Sequence, residues 1–146
     1  MLDPSLYDLE FVITHWGTDR VPIQAVRRAV FIAEQGIDER DEWDDTDITC
    51  PHVLALRNRE PVGTGRLGPD GKIGRLAVLS ELRGRGVGTE ILKRLLWEAR
   101  SRGLHEAYLH AQVAAMPFYA KFGFVPEGEE FVEAGIPHRR MRLRLE

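Results

Sequence analysis

The sequence contains a single cysteine, Cys50, among its 146 residues, and it has no long apolar run. One cysteine cannot form an intramolecular disulfide, and no cysteines and histidines have the spacing of a zinc site, so neither a disulfide framework nor a bound metal is expected. No apolar run approaches the roughly 18 residues that a membrane span needs, and residues 1–10 lack the basic and apolar regions of a signal peptide. These absences predict a cytoplasmic protein with no membrane partner. No nucleophile motif surrounds Cys50, which is expected to be a small buried apolar residue.

The sequence also lacks a dominant positive charge. Its formal net charge is -3, whereas general nucleic-acid binding requires a strongly basic surface, so no nucleic-acid partner is expected. The charge is nevertheless divided along the chain, because residues 1–73 hold 14 acids and 8 bases and residues 74–146 hold 9 acids and 12 bases. The second half therefore has room for one anionic ligand.

The length and the hydrophobic pattern predict one domain over residues 1–146, since no linker divides the chain into two halves with separate cores. The predicted order is β, α, three β, α, β, α, β, which is an α/β (α+β) fold with an antiparallel meander near its middle. Predicted strands cover 9–16, 52–57, 61–67, 72–79, 106–112 and 141–145, and predicted helices follow Gly17, Gly86 and Val113.

The first predicted helix and the segment after it differ sharply in character. An apolar stripe at helical spacing places Arg27 and Arg28 outside the buried face. From 34 to 47 the chain then carries eight acids and one base, which predicts a charged loop rather than a core element.

A glycine-rich turn leads from the meander into the best-defined helix. Gly84, Gly86 and Gly88 let backbone N–H groups approach a ligand, the helix start adds partial positive charge, and Arg83 and Arg85 add two full charges. A pyrophosphate fits such a turn, although the glycines could also serve only a tight, solvated loop. No lysine follows the last glycine as in a P-loop, and the spacing is not that of the dinucleotide fingerprint, so nucleotide hydrolysis and NAD binding are disfavoured.

This turn resembles motif A of the Gcn5-related N-acetyltransferases (GNAT), whose Gln/Arg-x-x-Gly-x-Gly/Ala pattern is matched by Arg83, Gly86 and Gly88. Residues 112–124 are similar to motif B, in which a helix carries a tyrosine, here Tyr119, before a Gly-Phe pair. Most of the chain resembles the ElaA/YjcF-like branch of that superfamily. The resemblance implies a single GNAT-type domain with a central, mostly antiparallel mixed sheet flanked by helices and splayed at the cofactor site. It also implies acetyl-CoA as co-substrate and no metal.

The resemblance further implies roles for individual residues. The turn would bind the pyrophosphate of acetyl-CoA, the strand before it would pair with the pantetheine arm, and the amide of Val78 could stabilise negative charge on the thioester oxygen. Tyr119 would protonate the departing thiolate, or would only pack its helix onto the sheet. The implied cofactor-binding residues are Leu76, Ala77, Val78, Arg83, Gly84, Arg85, Gly86, Val87, Gly88, Thr89, Gln112, Phe118 and Lys121.

The acceptor side is less defined. An amine must lose a proton before it attacks, and Glu34, His110 and His138 are candidate bases, each with a structural role as the alternative. The acidic segment 34–47 would favour a cationic amine if it overhangs the acceptor, or it only keeps a loop solvated. Trp43 within it is either a packing anchor or a contact for an organic cation.

The sequence thus predicts an enzyme, an acyltransferase that moves an acetyl group from acetyl-CoA to a primary amine of a small molecule or peptide by direct attack in a ternary complex. A non-catalytic acyl-CoA-binding or sensing module and a structural interaction domain are the alternatives. The resemblance says little about the acceptor. A homodimer is common in this family, and the strand over 138–145 is a candidate for a sheet edge.

Overall fold

Two antiparallel sheets form the framework of the computed structural model, which describes residues 2–145. The first sheet has the order β1-β2-β3-β4 and the second the order β5-β7-β6. Their strands are β1 (Glu10–His15), β2 (Pro51–Arg57), β3 (Glu60–Leu67), β4 (Ile73–Val78), β5 (Glu106–Gln112), β6 (Val125–Glu133) and β7 (Ile136–Arg144). The predicted meander is confirmed as β2, β3 and β4, which pair antiparallel in chain order.

Helices connect the strands and cover the sheets. They are α1 (Trp16–Arg27), which continues as a π-helical segment (Arg28–Glu34), α2 (Glu39–Glu42), α3 (Thr46–Thr49), α4 (Val87–Ser101) and α5 (Met116–Ala120). Short 3-10 turns occur at Pro4–Leu6, Ser80–Leu82 and Val113–Ala115. Within residues 2–145 no helix has both the length and the apolar character needed to cross a membrane.

Helix α4 packs tightly against β3, which fixes the glycine-rich turn at its start relative to the first sheet. Its buried residues Val87, Ile91, Leu92, Leu95, Leu96 and Ala99 form the predicted apolar stripe. A Cβ added to Gly63 would lie 2.8 Å from a methyl of Ile91, and one added to Gly65 would lie 2.9 Å from a methyl of Leu95. Both distances are too short for real contacts, so glycine at these positions allows the helix to approach the strand.

The two sheets meet at one point and then separate. Lys72 and Tyr108 form a parallel bridge, and the Tyr108 N–H donates to the carbonyl of Gly71 at 3.0 Å. A Cβ on Gly71 would lie 2.4 Å from the carbonyl oxygen of Glu106, so this close approach requires glycine. Beyond the bridge, β4 and β5 run parallel without pairing among the described residues. A cleft therefore opens between them, as the resemblance implied.

The C-terminal sheet differs from the prediction in two respects. Strand β6 (Val125–Glu133) was not predicted, because it is exposed along nearly its whole length and therefore has no apolar alternation. Strand β7 begins at Ile136, earlier than predicted, and lies between β5 and β6. The expectation that residues 138–145 lie at a sheet edge is wrong, since β6 occupies that edge.

Arg27 is fully buried, although its position lies outside the apolar stripe of its helix. Its Nε donates to Oε2 of Glu42 at 2.8 Å, and its Nη1 donates to Oδ1 of Asp47 at 2.6 Å. Burial outweighs the attraction of Arg27 and raises the pKa of Glu42. Paired acids and bases can enter a core that the apolar pattern alone does not assign to them. Placing Arg27 on the exposed face was therefore wrong.

The same ion-pair network continues to the first sheet. Arg66 on β3 contacts Asp44 and Asp47, each at 2.7 Å, and Arg75 on β4 contacts Glu42 at 3.3 Å and Asp44 at 3.4 Å. Burial by itself would raise the pKa of Asp44. The hydrogen bonds and the charge of Arg66 outweigh this effect and lower the pKa of Asp44 to about 2. Much of the acidic segment thus folds into the protein, paired with arginines, rather than forming a solvated loop.

Trp43 completes this network as a packing residue. The guanidinium of Arg27 lies 5.0 Å from the Trp43 ring centroid and 5.6 Å from that of Trp16, and Arg28 lies 5.5 Å from the Trp43 ring. These are cation–π distances. The cation that Trp43 contacts is therefore supplied by the chain itself.

Candidate functional site

The cleft between β4 and β5 encloses a cavity of about 900 Å³. Predicted site residues that line it are Leu76, Ala77, Val78, Arg83, His110, Gln112, Tyr119 and His138. Phe118 packs against the start of α4, where a Cβ on Gly88 would lie 3.5 Å from its ring. Lys121 is exposed just after α5. The cavity brings residues from both sheets together.

The glycine-rich turn presents a row of free backbone amides beside α4. Gly84 and Gly86 have φ angles of 73° and 95°, which favour glycine, and Gly86 directly precedes the helix. Among residues 2–145, no hydrogen-bond acceptor pairs with the backbone N–H groups of residues 84–89. Unpaired amides at the start of a fifteen-residue helix are suited to bind an anion such as a phosphate.

The two arginines of this turn are paired with carboxylates of the protein. Arg83 donates hydrogen bonds to both carboxylate oxygens of Glu34, and the distance from Nη2 to Oε1 is 2.6 Å. Arg85 contacts the Asp3 carboxylate at 3.3 Å. The hydrogen bond from Arg83, opposed by burial, lowers the pKa of Glu34. Glu34 is thereby a weaker base than a free glutamate. The amides, more than the two guanidinium groups, are left available to an anion.

Val78 directs its backbone polar groups into the cleft. The N–H of Leu79 donates to the carbonyl of Val62 at 3.0 Å, so the backbone polar groups of Leu79 point toward β3. Val78 is the preceding residue and lies opposite Gly63 of β3. Alternate residues of an antiparallel strand point their N–H and C=O groups to opposite sides. The Nε of Arg83 accordingly donates to the Val78 carbonyl from the cleft side, at 3.0 Å. The N–H of Val78 therefore faces the cleft.

Tyr119 combines a packed ring with an accessible hydroxyl. Its ring makes edge contacts with Phe118 and Phe124, at centroid distances of 5.1 and 6.0 Å. Within residues 2–145 the hydroxyl has no hydrogen-bond partner, yet it is not among the fully buried polar atoms. Burial raises the pKa of Tyr119 to about 12. The hydroxyl is thus a protonated donor at the cleft wall, and packing and donation are compatible.

Two of the three candidate bases meet at one carboxylate. His110 Nδ1 lies 3.1 Å from Glu133 Oε1, and His138 Nε2 lies 3.8 Å from Glu133 Oε2. The other ring nitrogen of His138 is 2.7 Å from the Ile136 carbonyl. Burial disfavours the Glu133 carboxylate, but the hydrogen bond with His110 and the neighbouring positive charges lower its pKa. Sequence reasoning missed Glu133 because it missed β6.

Gln112 contacts a residue on the opposite wall of the cavity. Its Nε2 donates to Oε1 of Gln35, which follows the π-helical segment, at 2.9 Å. Both residues line the cleft. Their amide pair links the end of β5 to the residue that follows the π-helical segment.

Cys50 is buried outside the cleft. Burial raises the pKa of its thiol to about 11, whereas a nucleophilic cysteine requires a depressed pKa and exposure. The expectation of a buried apolar residue at this position is confirmed.

Comparison with known proteins identifies the fold and its chemistry. The family model for the acetyltransferase (GNAT) domain matches residues 38–145. The chain is 38% identical over 120 residues to the uncharacterized N-acetyltransferase YjcF of Bacillus subtilis (strain 168), covering 80% of this chain and 86% of YjcF. It is 34% identical over 121 residues to the protein ElaA of Escherichia coli (strain K12), covering 77% of this chain and 79% of ElaA.

Solved structures agree with these matches. The crystal structure of Escherichia coli ElaA aligns with a TM-score of 0.83 and 31% identity, covering 91% of this chain and 98% of that one. An acyl-CoA N-acyltransferase from Pseudomonas aeruginosa aligns with a TM-score of 0.83 and 29% identity, covering 92% and 98%. The chain therefore belongs to the GNAT acetyltransferase family and is an acyltransferase of its ElaA/YjcF-like branch.

Proposed function

We propose that the protein transfers the acetyl group of acetyl-CoA to a primary amine by direct attack in a ternary complex. The observation that supports this most directly is the convergence of three groups on one cleft: the Val78 amide, the Tyr119 hydroxyl and the His110–Glu133 pair. An amide donor, a proton donor and a proton acceptor are what acyl transfer to an amine needs.

The free amides of residues 84–89 support a pyrophosphate site, because they are unpaired donors at a helix start. The edge of β4 at Leu76, Ala77 and Val78 would hold the pantetheine arm, with Gln112 and Phe118 beside it. Lys121, exposed after α5, would contribute positive charge toward the remaining phosphate. Acetyl-CoA supplies a thioester carbonyl for the nitrogen to attack and a thiolate to leave.

Among the candidate bases we favour His110. Its Nδ1 is paired with Glu133, which orients the ring and leaves Nε2 to accept a proton. Glu34 is bound at both oxygens by Arg83, and the side chain of His138 is 8% exposed. His110 is thus the better placed of the three to take a proton from the amine.

The residues then act in one reaction. His110 takes a proton from the ammonium form of the acceptor and releases it to solvent before the next turnover. A bond forms between the amine nitrogen of the acceptor and the acetyl carbon, while the carbon–sulfur bond breaks. The Val78 N–H donates to the acetyl oxygen as its negative charge increases. Tyr119 gives its proton to the sulfur and regains one through water from the new amide nitrogen. The products are an acetamide and a free thiol.

A thiol-release screen with acetyl-CoA tests the activity directly. The panel includes polyamines, aminoglycosides, amino sugars and peptide N-termini, and it covers amines with and without additional positive charge. Thiol release that depends on one class of amine supports the proposal and names the acceptor. Binding of coenzyme A without thiol release from any amine contradicts it.

Gly86→Trp should weaken coenzyme A binding at least tenfold, because the indole would cover the turn amides. The matched control is Gly103→Trp at the other end of α4, where φ is also positive at 76° and no atom lies within 4 Å of an added Cβ. Calorimetric titration with coenzyme A measures both variants. Equal affinities would remove the anion site from the turn.

His110→Asn should lower kcat about 100-fold, within the range for loss of a general base, and added imidazole should restore part of the rate. His105→Asn is the control, since His105 is exposed directly before β5. Steady-state thiol release measures both. A rate for His110→Asn equal to that of the control would exclude His110 as the base.

A further inference from the structure

We propose that Glu34 is a positioning residue, which acts through Arg83 to hold the Val78 peptide in the orientation that the cleft requires. The inference deepens the proposed function and rests on it. It assigns to Glu34 a role other than proton transfer, and to Arg83 a role other than phosphate binding.

The contact joins three separate parts of the fold. Glu34 is the last residue of the π-helical segment, Arg83 follows the 3-10 turn after β4, and Val78 is the last residue of β4. Arg83 uses Nη1 and Nη2 for the two oxygens of Glu34 and Nε for the Val78 carbonyl, at 3.0 Å. The guanidinium is planar, so a carboxylate that binds both Nη atoms also fixes the direction in which the Nε–H points.

The contact from Arg83 adds a second hold on Val78, on the cleft side, where this residue has no strand partner among residues 2–145. The bridge between Lys72, just before β4, and Tyr108 of β5 is not continued by β4 among residues 2–145, so without Arg83 the carbonyl of Val78 would face an open cavity. On the β3 side, the N–H of Leu79, which lies in the same peptide group as the Val78 carbonyl, is held by the carbonyl of Val62 at 3.0 Å. With both sides of this peptide group held, rotation about the Cα–C bond of Val78, next to its N–H, is restricted. A donor that is oriented before reaction is worth more than one that must reorient.

The alternatives for this ion pair explain less. Both oxygens of Glu34 accept hydrogen bonds, and its pKa is lowered by Arg83, so it has little capacity to take a proton. The side chains of Glu34 and Arg83 are each 40% exposed, and pairs that exposed contribute little to stability. A role in orienting Val78 accounts for the simultaneous contacts of Arg83 with Glu34 and with the Val78 carbonyl, which stability alone does not explain.

The test compares Glu34→Ala, Arg83→Ala and the double variant in thiol release. Each single variant should lower kcat about tenfold, and the double variant should be no slower than Arg83→Ala, because the two residues act in series. Glu34→Gln, which keeps one acceptor oxygen for Arg83, should regain most of the rate. The KM for acetyl-CoA and the calorimetric affinity for coenzyme A should stay within about twofold.

Other roles predict other results. If Glu34 were the base, Glu34→Gln would be as slow as Glu34→Ala, and the pH profile of kcat/KM would change shape. If Arg83 bound phosphate, Arg83→Ala would weaken coenzyme A binding about tenfold or more. Either result overturns the proposal. Glu81→Ala is the control, since it removes a carboxylate two residues from Arg83 that bonds Ser80 rather than the guanidinium.

A measurement without ligand separates this inference from the proposed function. In NMR spectra of the free protein, Glu34→Ala and Arg83→Ala should shift the amide signals of Val78 and Leu79 alike, and Glu81→Ala should not. Unchanged signals overturn the positioning role even if the wild type acetylates amines. Shifted signals with no thiol release by the wild type uphold the positioning of Val78 and contradict the acetyltransferase reaction instead.

Discussion

Tyr119→Phe is expected to lower kcat of acetyl transfer about 100-fold, the lower end of the range for losing a general acid. The phenylalanine keeps the ring contacts with Phe118 and Phe124 but has no proton to give to the departing sulfur. Because burial raises the pKa of Tyr119 to about 12, the hydroxyl is protonated at neutral pH and is a donor there. Coenzyme A affinity should change little, since the turn that would hold the phosphates is untouched.

The control for this variant is Tyr108→Phe. Burial and the hydrogen bond to Asp70 raise the pKa of Tyr108 to about 12 as well, but Tyr108 lies at the junction of the sheets and does not line the cleft. Steady-state rates, calorimetry with coenzyme A and urea unfolding should be measured on both variants. If Tyr119→Phe turned over at the wild-type rate, Tyr119 would be left with its packing role only.

Arg27→Met should reduce the free energy of unfolding by about 3 kcal/mol, the low end of the cost of removing one partner from a buried ion pair. The low end applies because Arg66 still contacts Asp47 and Arg75 still contacts Glu42. Arg27 is fully buried and holds Glu42 and Asp47, which are themselves 2% and 0% exposed. Methionine fills much of the same volume, so the loss reflects charge more than a cavity. Urea unfolding of the purified variant measures the change.

Two further variants separate pairing from packing. Arg28→Met removes the next residue's surface ion pair with Glu39, whose side chains are 49% and 50% exposed, and should cost less than about 1 kcal/mol. Adding Glu42→Gln to Arg27→Met should recover part of the loss, because burial already disfavours the Glu42 carboxylate and a neutral amide tolerates burial better than a carboxylate that has lost a partner. A loss for Arg27→Met no larger than that for Arg28→Met would mean that the network contributes little.

Much of the proposed cofactor side of the cleft could be predicted from local sequence. The turn over 83–88 depends on glycines at alternate positions of a short segment and on the helix that begins there, and both are visible as a pattern. Tyr119 was recognisable for the same reason, since it lies in a short motif between a strand and a Gly-Phe pair. Local chain geometry and local residue types together specify these features.

The acceptor side could not be predicted in the same way. Glu133 meets His110 only because β6 and β5 both pair with β7, and β6 has too few buried residues to be recognised as a strand. Three candidate bases were equivalent in the sequence, and the hydrogen-bond partners of each distinguish them. Those partners are Arg83, Glu133 and the Ile136 carbonyl.

The sequence by itself determined the family, the order of most elements and the position of the glycine-rich turn, because these depend on periodicity and on residues close together in the chain. The tertiary structure alone decided which charges pair. Glu34 lies 49 residues from Arg83, and Arg27 lies 20 from Asp47. Composition counts acids and bases without specifying their partners. A charge's partners and burial determine whether it attracts a ligand, holds a strand or stabilises the core.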